Sequence, residues 1–213
     1  MSDIRIFVSC HKPAVVPVNN LFYPIQVGAA LNDQRMENML HDDEGINISK
    51  KNKSYCELTA QYWAWKNTNA DYYGFFHYRR YFSFSSEIFP SNYFGDVIFE
   101  KNDKPTLEML QISEEHMRDI IEKYDIIAPT QGKFEEDNLT LYEQYNIAKV
   151  HKIQDLDLVL SIIDRDYPEM SQIADEYIHS TKGYFCNMFI MKKDILQKYC
   201  QWLFPILEEH EKR

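Results

Sequence analysis

The sequence predicts a mixed α/β fold in which helices flank a mostly parallel central sheet. Short β-rich runs alternate with helical segments along the chain. No internal repeat or low-complexity tract breaks this alternation. The 213 residues, 45% of them hydrophobic, suffice for one domain with an ordinary core. We therefore expect a single domain over residues 1–213 that binds its ligands at the carboxyl ends of the strands.

The first predicted strand is IRIFVSC, residues 4–10, which is rich in β-branched and aromatic residues. It leads directly into His11 and Lys12, so the strand is expected to deliver both side chains to a loop. Residues 13–50 carry little regular signal and predict a long polar loop.

A helix and a second buried strand are predicted next. Residues 54–67 have apolar side chains at helical spacing, with Ser54 as N-cap and Glu57 completing a capping box. The predicted apolar face consists of Tyr55, Leu58, Tyr62 and Trp65. The aromatic run YYGFFHYRRYF, residues 72–82, is typical of a buried strand that emerges at the sheet edge.

The rest of the chain continues the alternation after an irregular stretch at residues 83–112. A helix is predicted over residues 113–124, with Ser113 as its N-cap. Residues 139–167 are predicted to form two helices with a break near 150–154. Two more helices are predicted over residues 167–178 and 194–213, the last with Asp194 as its N-cap. Strands are predicted over residues 125–130 and 183–193.

Composition excludes several classes of protein. A formal net charge of −10 argues against DNA or RNA as the main partner, because a phosphate backbone requires a basic face. The four cysteines show no metal-binding spacing and indicate buried thiols in a reducing compartment. The apolar run at the start is too short for a signal peptide, and no run approaches the ~18 apolar residues of a membrane span. We expect a cytoplasmic protein, at most in peripheral contact with the inner face of the plasma membrane.

The sharpest candidate site is the sequence His77-Tyr78-Arg79-Arg80 at the end of the second strand. Two guanidinium groups cannot be buried without partners, so they are expected to face either an anion or internal acids. One interpretation is an anion site for a diphosphate, which arginine binds with paired hydrogen bonds. The other is a set of ion pairs with Asp42, Asp43 or Glu57. Alternation along a strand predicts that Arg79 and Arg80 point in opposite directions.

These residues lie in a longer block with a specific resemblance. NISKKNKSYCELTAQYWAWKN followed by ADYYGFFHYRRYF is similar to the signature of a bacterial family of capsular and exopolysaccharide biosynthesis proteins, long labelled only as a domain of unknown function. The likeness extends from IRIFVSCHK through PIQVGAAL and HKIQDLDLVLSIIDRDYPE to CNMFIMKK and YCQWLFPILEE.

The resemblance implies a Rossmann-related fold of the GT-A type and a glycosyltransferase activity linked to galactofuranose. The implied partners are a UDP-sugar donor, a glycan or lipid-linked glycan acceptor in capsule, O-antigen or exopolysaccharide synthesis, and other polysaccharide-assembly proteins. Members of the family run on beyond the length of this chain, so a truncated C-terminus is expected.

The comparison also predicts how the donor diphosphate is held. Many GT-A-type enzymes place an Asp-x-Asp motif at the matching strand end, where it binds Mn²⁺ or Mg²⁺. Here that strand ends in His77-Tyr78-Arg79, and an arginine can neutralise a departing UDP without a metal. We therefore expect an inverting, metal-independent enzyme with no cofactor. The other Asp-x-Asp strings, Asp155-Leu-Asp157 and Asp164-Arg-Asp166, fall in predicted helices and indicate solvated helix faces.

Inversion requires a base that accepts the proton of the acceptor hydroxyl. The candidates are Asp155, Asp157, His151, Glu57 and the acids at 135–137. His151 and Asp155 are four residues apart and would share one face if the helix already includes both. An acidic first helical turn explains Asp155 equally well, and Glu57 either caps its helix or pairs with an arginine.

Further polar residues are candidates for the substrates. Asp43, Asn47, Ser49 and Asn52 precede the first helix and are expected to contact the donor, or else to bond their own backbone in turns. Asn187 lies in the apolar run FCNMFIM, where a buried amide would either tie strands together or bind a sugar hydroxyl of the acceptor. A non-catalytic carbohydrate- or nucleotide-binding module of an assembly complex remains the alternative function.

Overall fold

The computed structural model describes residues 1–101, 103–134 and 138–213. The chain forms two compact units. The first comprises Met1–Ile88, Phe99–Pro129 and Cys186–Cys200, and the second comprises Phe89–Ile98, Thr130–Phe185 and Gln201–Arg213.

The described residues contain eight strands, in chain order β1 Ile4–Cys10, β2 Phe22–Gln26, β3 Leu40–His41, β4 Tyr72–His77, β5 Ile126–Ile127, β6 Gly132–Lys133, β7 Lys182–Gly183 and β8 Phe189–Lys192. Six of them form the sheet of the first unit in the order β3-β2-β1-β4-β8-β5. The pairs among β1 to β4 are parallel, whereas β8 is antiparallel to both β4 and β5. The predicted mixed α/β fold with a mostly parallel sheet is confirmed.

In the part of the chain that the structure describes, eight α-helices accompany the strands: α1 Asn52–Tyr55, α2 Leu58–Asn67, α3 Lys104–Met109, α4 Glu114–Ile121, α5 Leu141–Ile147, α6 Ile153–Asp166, α7 Pro168–Ile178 and α8 Lys193–Glu211. Two 3-10 turns lie at Ala29–Leu31 and Ser49–Lys51. Among the described residues, no helix has both the length and the apolar composition needed to cross a bilayer.

The two central strands were predicted with the correct boundaries at their starts because every position in them favours burial. Every residue of β4 is buried, as are six of the seven residues of β1. At Gly74 in β4, an added Cβ would lie 2.8 Å from Ile6 Cγ1, so only glycine allows β1 and β8 to pack on this strand. The centre of the sheet is therefore closely packed and buried. The ends of these strands determine where the loops begin.

The single helix predicted over residues 54–67 is wrong. The chain forms α1 and α2, separated at Cys56, whose φ of 47° is left-handed and interrupts the helix. Ser54 lies within α1 and caps nothing, so the predicted capping box is also wrong. The face of α2 that is buried carries Ala60, Trp63 and Ala64, because two small side chains let the helix approach the sheet closely.

Other differences concern short elements with weak periodic signals. The predicted loop at 13–50 contains β2 and β3, which are only five and two residues long. The irregular stretch 83–112 contains α3, and the predicted strand 183–193 is shortened to β8 with β7 before it. Asp194 lies in the first turn of α8 rather than at its N-cap.

The second unit contains α5 to α7, the end of α8 and the small antiparallel sheet of β6 and β7. The predicted pair of helices with a break near 150–154 is confirmed by α5 and α6. Thr140 and Glu143 form a capping box at the start of α5. Buried side chains of Ile162, Ile163 and Ile206 form the core of this unit.

Candidate functional site

Parallel strands bring four loops to the same edge of the sheet in the first unit. The loops after β1, β2, β3 and β4 begin at His11, Val27, Asp42 and Tyr78. Because β8 runs in the opposite direction and pairs Phe189 with Phe75, its starting end lies at this edge too. The loops after β1 and β4 and the segment before β8 therefore lie at one edge of the sheet.

A tight turn follows β4 and sets the direction of the two arginines. The backbone N–H of Arg80 donates to the carbonyl of His77 at 2.8 Å, and the N–H of Tyr78 donates to the carbonyl of Ser9 at 3.1 Å. The strand therefore ends at His77, and Arg79 and Arg80 lie in a turn with both residues exposed. Because both residues follow the strand, the alternation rule used for the prediction does not apply to them.

Cationic side chains surround the ring of Tyr78. Lys12 Nζ lies 5.9 Å from the ring centre and the Arg79 guanidinium carbon 5.2 Å from it, while the ring centres of His11 and Tyr78 are 5.3 Å apart. We call His11, Lys12, Arg79 and Arg80 the cationic cluster. The Tyr78 ring gives it a rigid, buried base, and cations favour the face of such a ring.

Neither arginine of the cationic cluster forms a hydrogen bond or ion pair through its guanidinium group within the described part of the chain. The three carboxylates predicted as internal partners are engaged elsewhere: Asp42 by four hydrogen bonds, Asp43 by Arg35 at 2.8 Å, and Glu57 by proximity to His77 at 3.8 Å. The two guanidinium groups are therefore available to an anion from solution.

His77 is the buried residue that joins the cluster to a carboxylate. Burial lowers the pKa of His77 to about 4; the negative charge of Glu57 opposes this, and Arg80, Arg79 and His11 add to it. The neutral ring accepts a hydrogen bond at Nδ1 from the Arg79 N–H at 3.3 Å, which leaves Nε2–H directed towards Glu57. His77 thus bonds the turn after β4 through Nδ1, and its Nε2 lies 3.8 Å from the Glu57 carboxylate.

The low pKa of His77 predicts that the protein loses stability between pH 6.5 and pH 4. In this range the imidazole of the unfolded chain binds a proton and the folded one does not, so the free energy of unfolding falls as the pH falls. Urea unfolding at pH 7 and pH 5 measures the difference. His77→Gln is expected to reduce the pH dependence, and the exposed control His151→Gln to leave it as in wild type. Equal pH dependence in wild type and His77→Gln would contradict the prediction.

Asp42, which the sequence suggested only as an ion-pair partner of the arginines, is a fully buried carboxylate with a different role. It accepts hydrogen bonds from the Gly28 N–H (2.8 Å), the Ala29 N–H (2.9 Å), Ser49 Oγ (2.5 Å) and Thr59 Oγ1 (2.6 Å). These bonds tie the turn after β2, the 3-10 turn at Ser49–Lys51 and helix α2 into one frame. No local pattern in the HDDEG segment distinguishes this aspartate from its acidic neighbours, since its partners lie in other loops.

Two of the amides predicted to contact the donor bond their own loops instead. Asn47 Nδ2 donates to the carbonyls of Asp43 at 2.8 Å and Gly45 at 2.9 Å. Asn52 Nδ2 donates to the carbonyl of Cys56 at 2.8 Å, across the break between α1 and α2. The alternative that these residues stabilise turns accounts for both side-chain amides, and their contact with a donor stays a prediction.

Asn187 differs from its prediction. It lies before β8 rather than inside a strand, and it is exposed. Its backbone carbonyl accepts a hydrogen bond from Gln61 Nε2 at 3.1 Å, which anchors the start of β8 to α2. Its side chain is therefore not a buried amide between strands.

The remaining predicted bases lie in the second unit or outside the described residues. Helix α6 begins at Ile153, so His151 precedes it, and the predicted shared helix face of His151 and Asp155 is wrong. The His151 ring stacks on Tyr145 with ring centres 4.4 Å apart, and Asp155 lies in the first turn of α6. The acids at 135–137 lie outside the described residues.

The Asp-x-Asp strings of α6 are exposed on the helix surface, as predicted. Asp157 accepts a hydrogen bond from the Tyr142 hydroxyl at 2.9 Å, and Asp166 pairs with Arg165. Among the described residues, no three His, Cys, Asp or Glu side chains are grouped so as to hold a metal ion. At the tip of β4 the two guanidinium groups would repel a divalent cation, so the residues there do not fit one.

Comparison with known proteins gives two matches. The model of a family described as a domain of unknown function, DUF4422, matches residues 5–213. A solved structure described as the apo form of WbbM, a bifunctional glycosyltransferase, is 35% identical with a TM-score of 0.92. The match covers 99% of this chain but only 37% of that chain. None of the curated proteins compared with the chain matches it.

Proposed function

The chain belongs to the DUF4422 family, and on that premise we propose that it is a glycosyltransferase domain. The proposed donor is UDP-galactofuranose, and the proposed acceptor is a glycan or lipid-linked glycan of a growing surface polysaccharide. The observation that carries the proposal is the pair of exposed, unpaired guanidinium groups of Arg79 and Arg80 at the carboxyl end of a central parallel strand. The similarity to a glycosyltransferase over 99% of this chain supports the same class of reaction.

In the proposed reaction the acceptor hydroxyl attacks the anomeric carbon from the face opposite the UDP. The bond between that carbon and the diphosphate oxygen breaks, and both of its electrons leave with UDP. Arg79 and Arg80 neutralise the charge that develops on the diphosphate, which is the task a metal ion performs in other transferases. The proposal is therefore an inverting transfer that needs no divalent cation.

Glu57 is the base that the geometry of the first unit favours. Its carboxylate lies 3.8 Å from His77 Nε2, next to the turn that carries the arginines, and it is partly exposed. It can accept the hydroxyl proton while the neutral His77 ring orients it. Asp155, with His151 nearby in sequence, remains the alternative base in the second unit.

The test is release of UDP from UDP-galactofuranose in the presence of a synthetic galactoside acceptor and EDTA. We expect turnover to persist in EDTA, because the proposed leaving-group stabilisation comes from arginine side chains. The same assay on Glu57→Gln and Asp155→Asn is expected to show loss of transfer in the first variant only, with UDP binding retained in both.

Complete loss of turnover in EDTA that Mn²⁺ restores would contradict metal independence. Binding of UDP without any turnover would instead favour a non-catalytic nucleotide-binding module. Loss of transfer in Asp155→Asn with full transfer in Glu57→Gln would identify Asp155, in the second unit, as the base instead of Glu57.

A further inference from the structure

The residue before Glu57, the proposed base, has an unusual backbone conformation. Cys56 has φ 47° and ψ −128°, and Glu57 has φ −66° and ψ −14°. These angles are close to those of the two central positions of a type II′ turn, where the first position is normally glycine. Cys56 carries a Cβ and is held there at an energetic cost. Residues in such sparsely populated backbone regions cluster at functional sites, where the surrounding structure fixes them.

The side chain of Asn52 supports this conformation. Its Nδ2 donates to the Cys56 carbonyl at 2.8 Å and to Thr59 Oγ1 at 3.1 Å. The Cys56 N–H in turn donates to the Asn52 carbonyl at 2.8 Å. Cys56 precedes Glu57 and Thr59 follows it, so the amide of Asn52 bonds the chain on both sides of the carboxylate. It therefore restrains the backbone from which the Glu57 side chain extends.

Asn52 is itself restrained by two neighbouring segments. Thr59 Oγ1, which accepts one of its hydrogen bonds, donates to the buried Asp42 Oδ2 at 2.6 Å. At the turn after β2, a Cβ added to Gly28 would lie 2.6 Å from Asn52 Oδ1, so the amide is in close contact with that turn. A side chain restrained on two sides keeps its hydrogen bonds at a small further cost in conformational entropy.

The direction of Glu57 matters because a proton transfer needs precise geometry. The Glu57 carboxylate lies 3.8 Å from His77 Nε2, and its side chain is 30% exposed, so it is held near the histidine and still open to a substrate. Relaxation of Cys56 to an ordinary negative φ would turn the carboxylate away from this position. A misplacement of about 1 Å in a reacting group can cost roughly 10²-fold in rate.

We propose that Asn52 is a positioning residue for the base: it holds Cys56 in the glycine-like conformation that directs the Glu57 carboxylate towards His77. The inference rests on the proposed transferase and on Glu57 as its base. It assigns Asn52 no contact with either substrate, in contrast to the contact with the donor that the sequence predicts.

The test combines Asn52→Ala with a change that removes the need for support. Asn52→Ala is expected to lower kcat for UDP release by roughly 10²-fold and to leave the Kd for UDP, measured by calorimetry, as in wild type. Adding Cys56→Gly is expected to restore kcat to within about 3-fold of wild type, because glycine adopts a positive φ without a steric cost.

Asn67 offers a matched control at the other end of α2. Its Nδ2 donates to the carbonyls of Ile46 at 2.7 Å and Trp63 at 2.8 Å, so Asn67→Ala also removes a side-chain amide that holds backbone carbonyls. We expect this variant to lose stability and to keep the kcat of wild type. A loss of rate in Asn52→Ala alone is then not a general effect of weakening the helix.

Urea unfolding adds a readout that does not depend on activity. Asn52→Ala is expected to lower the urea midpoint more in the wild-type background than in the Cys56→Gly background, where there is no strained residue to hold. Equal shifts of the midpoint in both backgrounds would overturn the support of Cys56 by Asn52, whatever the activity of the protein.

The activity measurements separate this inference from the proposed function. Wild-type kcat in Asn52→Ala, or a loss of kcat that Cys56→Gly does not restore, would overturn the positioning role and leave the transferase intact. Weaker UDP binding in Asn52→Ala would place Asn52 in contact with the donor and would overturn the role as well. Absence of UDP release by wild type would instead overturn the transferase and, with it, the role of Glu57 as a base.

Discussion

Replacing Arg79 and Arg80 together by alanine is expected to lower kcat for sugar transfer by at least roughly 10²-fold. Removing one preorganised donor to a developing negative charge costs about 2.7–4 kcal/mol of transition-state stabilisation, and this change removes two. Both arginines are exposed, and neither guanidinium group forms a hydrogen bond or ion pair within the described residues, so their loss leaves no buried charge behind. Steady-state UDP release measures kcat, and the melting temperature is expected to stay near that of wild type.

Two controls separate the role of these side chains from their charge. Lys123→Ala removes an exposed cation of the same unit that pairs with Asp119 at the protein surface, and it should leave kcat unchanged. Arg79→Lys keeps the charge but loses the paired hydrogen bonds, so an intermediate rate is expected. Wild-type kcat in the double alanine variant would exclude an anion site at the tip of β4.

Asp42→Ala is expected to lower the free energy of unfolding by about 3–5 kcal/mol, because each buried donor left without an acceptor costs about 1–3 kcal/mol. The fully buried carboxylate accepts four hydrogen bonds, and alanine removes the acceptor of the Gly28 and Ala29 N–H groups and of the Ser49 hydroxyl, while Thr59 Oγ1 keeps the Cys56 carbonyl as a second acceptor. Domains are stable by only about 5–15 kcal/mol, so this one change removes a large part of the total. Urea unfolding of the purified chain measures it.

Asp42→Asn keeps the shape and two lone pairs but turns two acceptor positions into donors, so it is expected to lose almost as much stability. Asp33→Ala, at an exposed position of the loop that precedes β3, provides a control that should stay within about 0.5 kcal/mol of wild type. A change below about 1 kcal/mol in Asp42→Ala would show that water or loop rearrangement replaces the carboxylate.

The parts of the fold that the sequence predicted are those governed by local periodicity. β1 and β4 are continuous apolar runs, and the helices of the second unit show a clear 3.6-residue repeat with a break between them. The sequence also indicated His77, Arg79 and Arg80 as a candidate site, because an abrupt change from aromatic to cationic residues is rare in a strand. Parallel pairing then placed His11 and Lys12 beside them.

The parts that were missed depend on contacts between distant residues. β3 has two residues and exists because it pairs with β2, and nothing in its own sequence marks it. The left-handed conformation of Cys56 is favoured by two hydrogen bonds with Asn52, not by its own preference: Asn52 Nδ2 donates to the Cys56 carbonyl, and the Cys56 N–H donates to the Asn52 carbonyl. The partners of Asp42 come from three separate segments, two turns and helix α2, so no short window of the sequence contains the pattern.

The hydrogen bonds of Asp42 also bear on the order in which the chain folds. Its four partners lie 7 to 17 residues away in sequence, whereas β1 pairs with β4 from Ile4 to Tyr72 and β4 pairs with β8 from Phe75 to Phe189. Closing a short loop costs less entropy than closing a long one, so the Asp42 frame can assemble before the sheet is complete. The segment from Gly28 to α2 would then serve as a preformed block on which the central strands register.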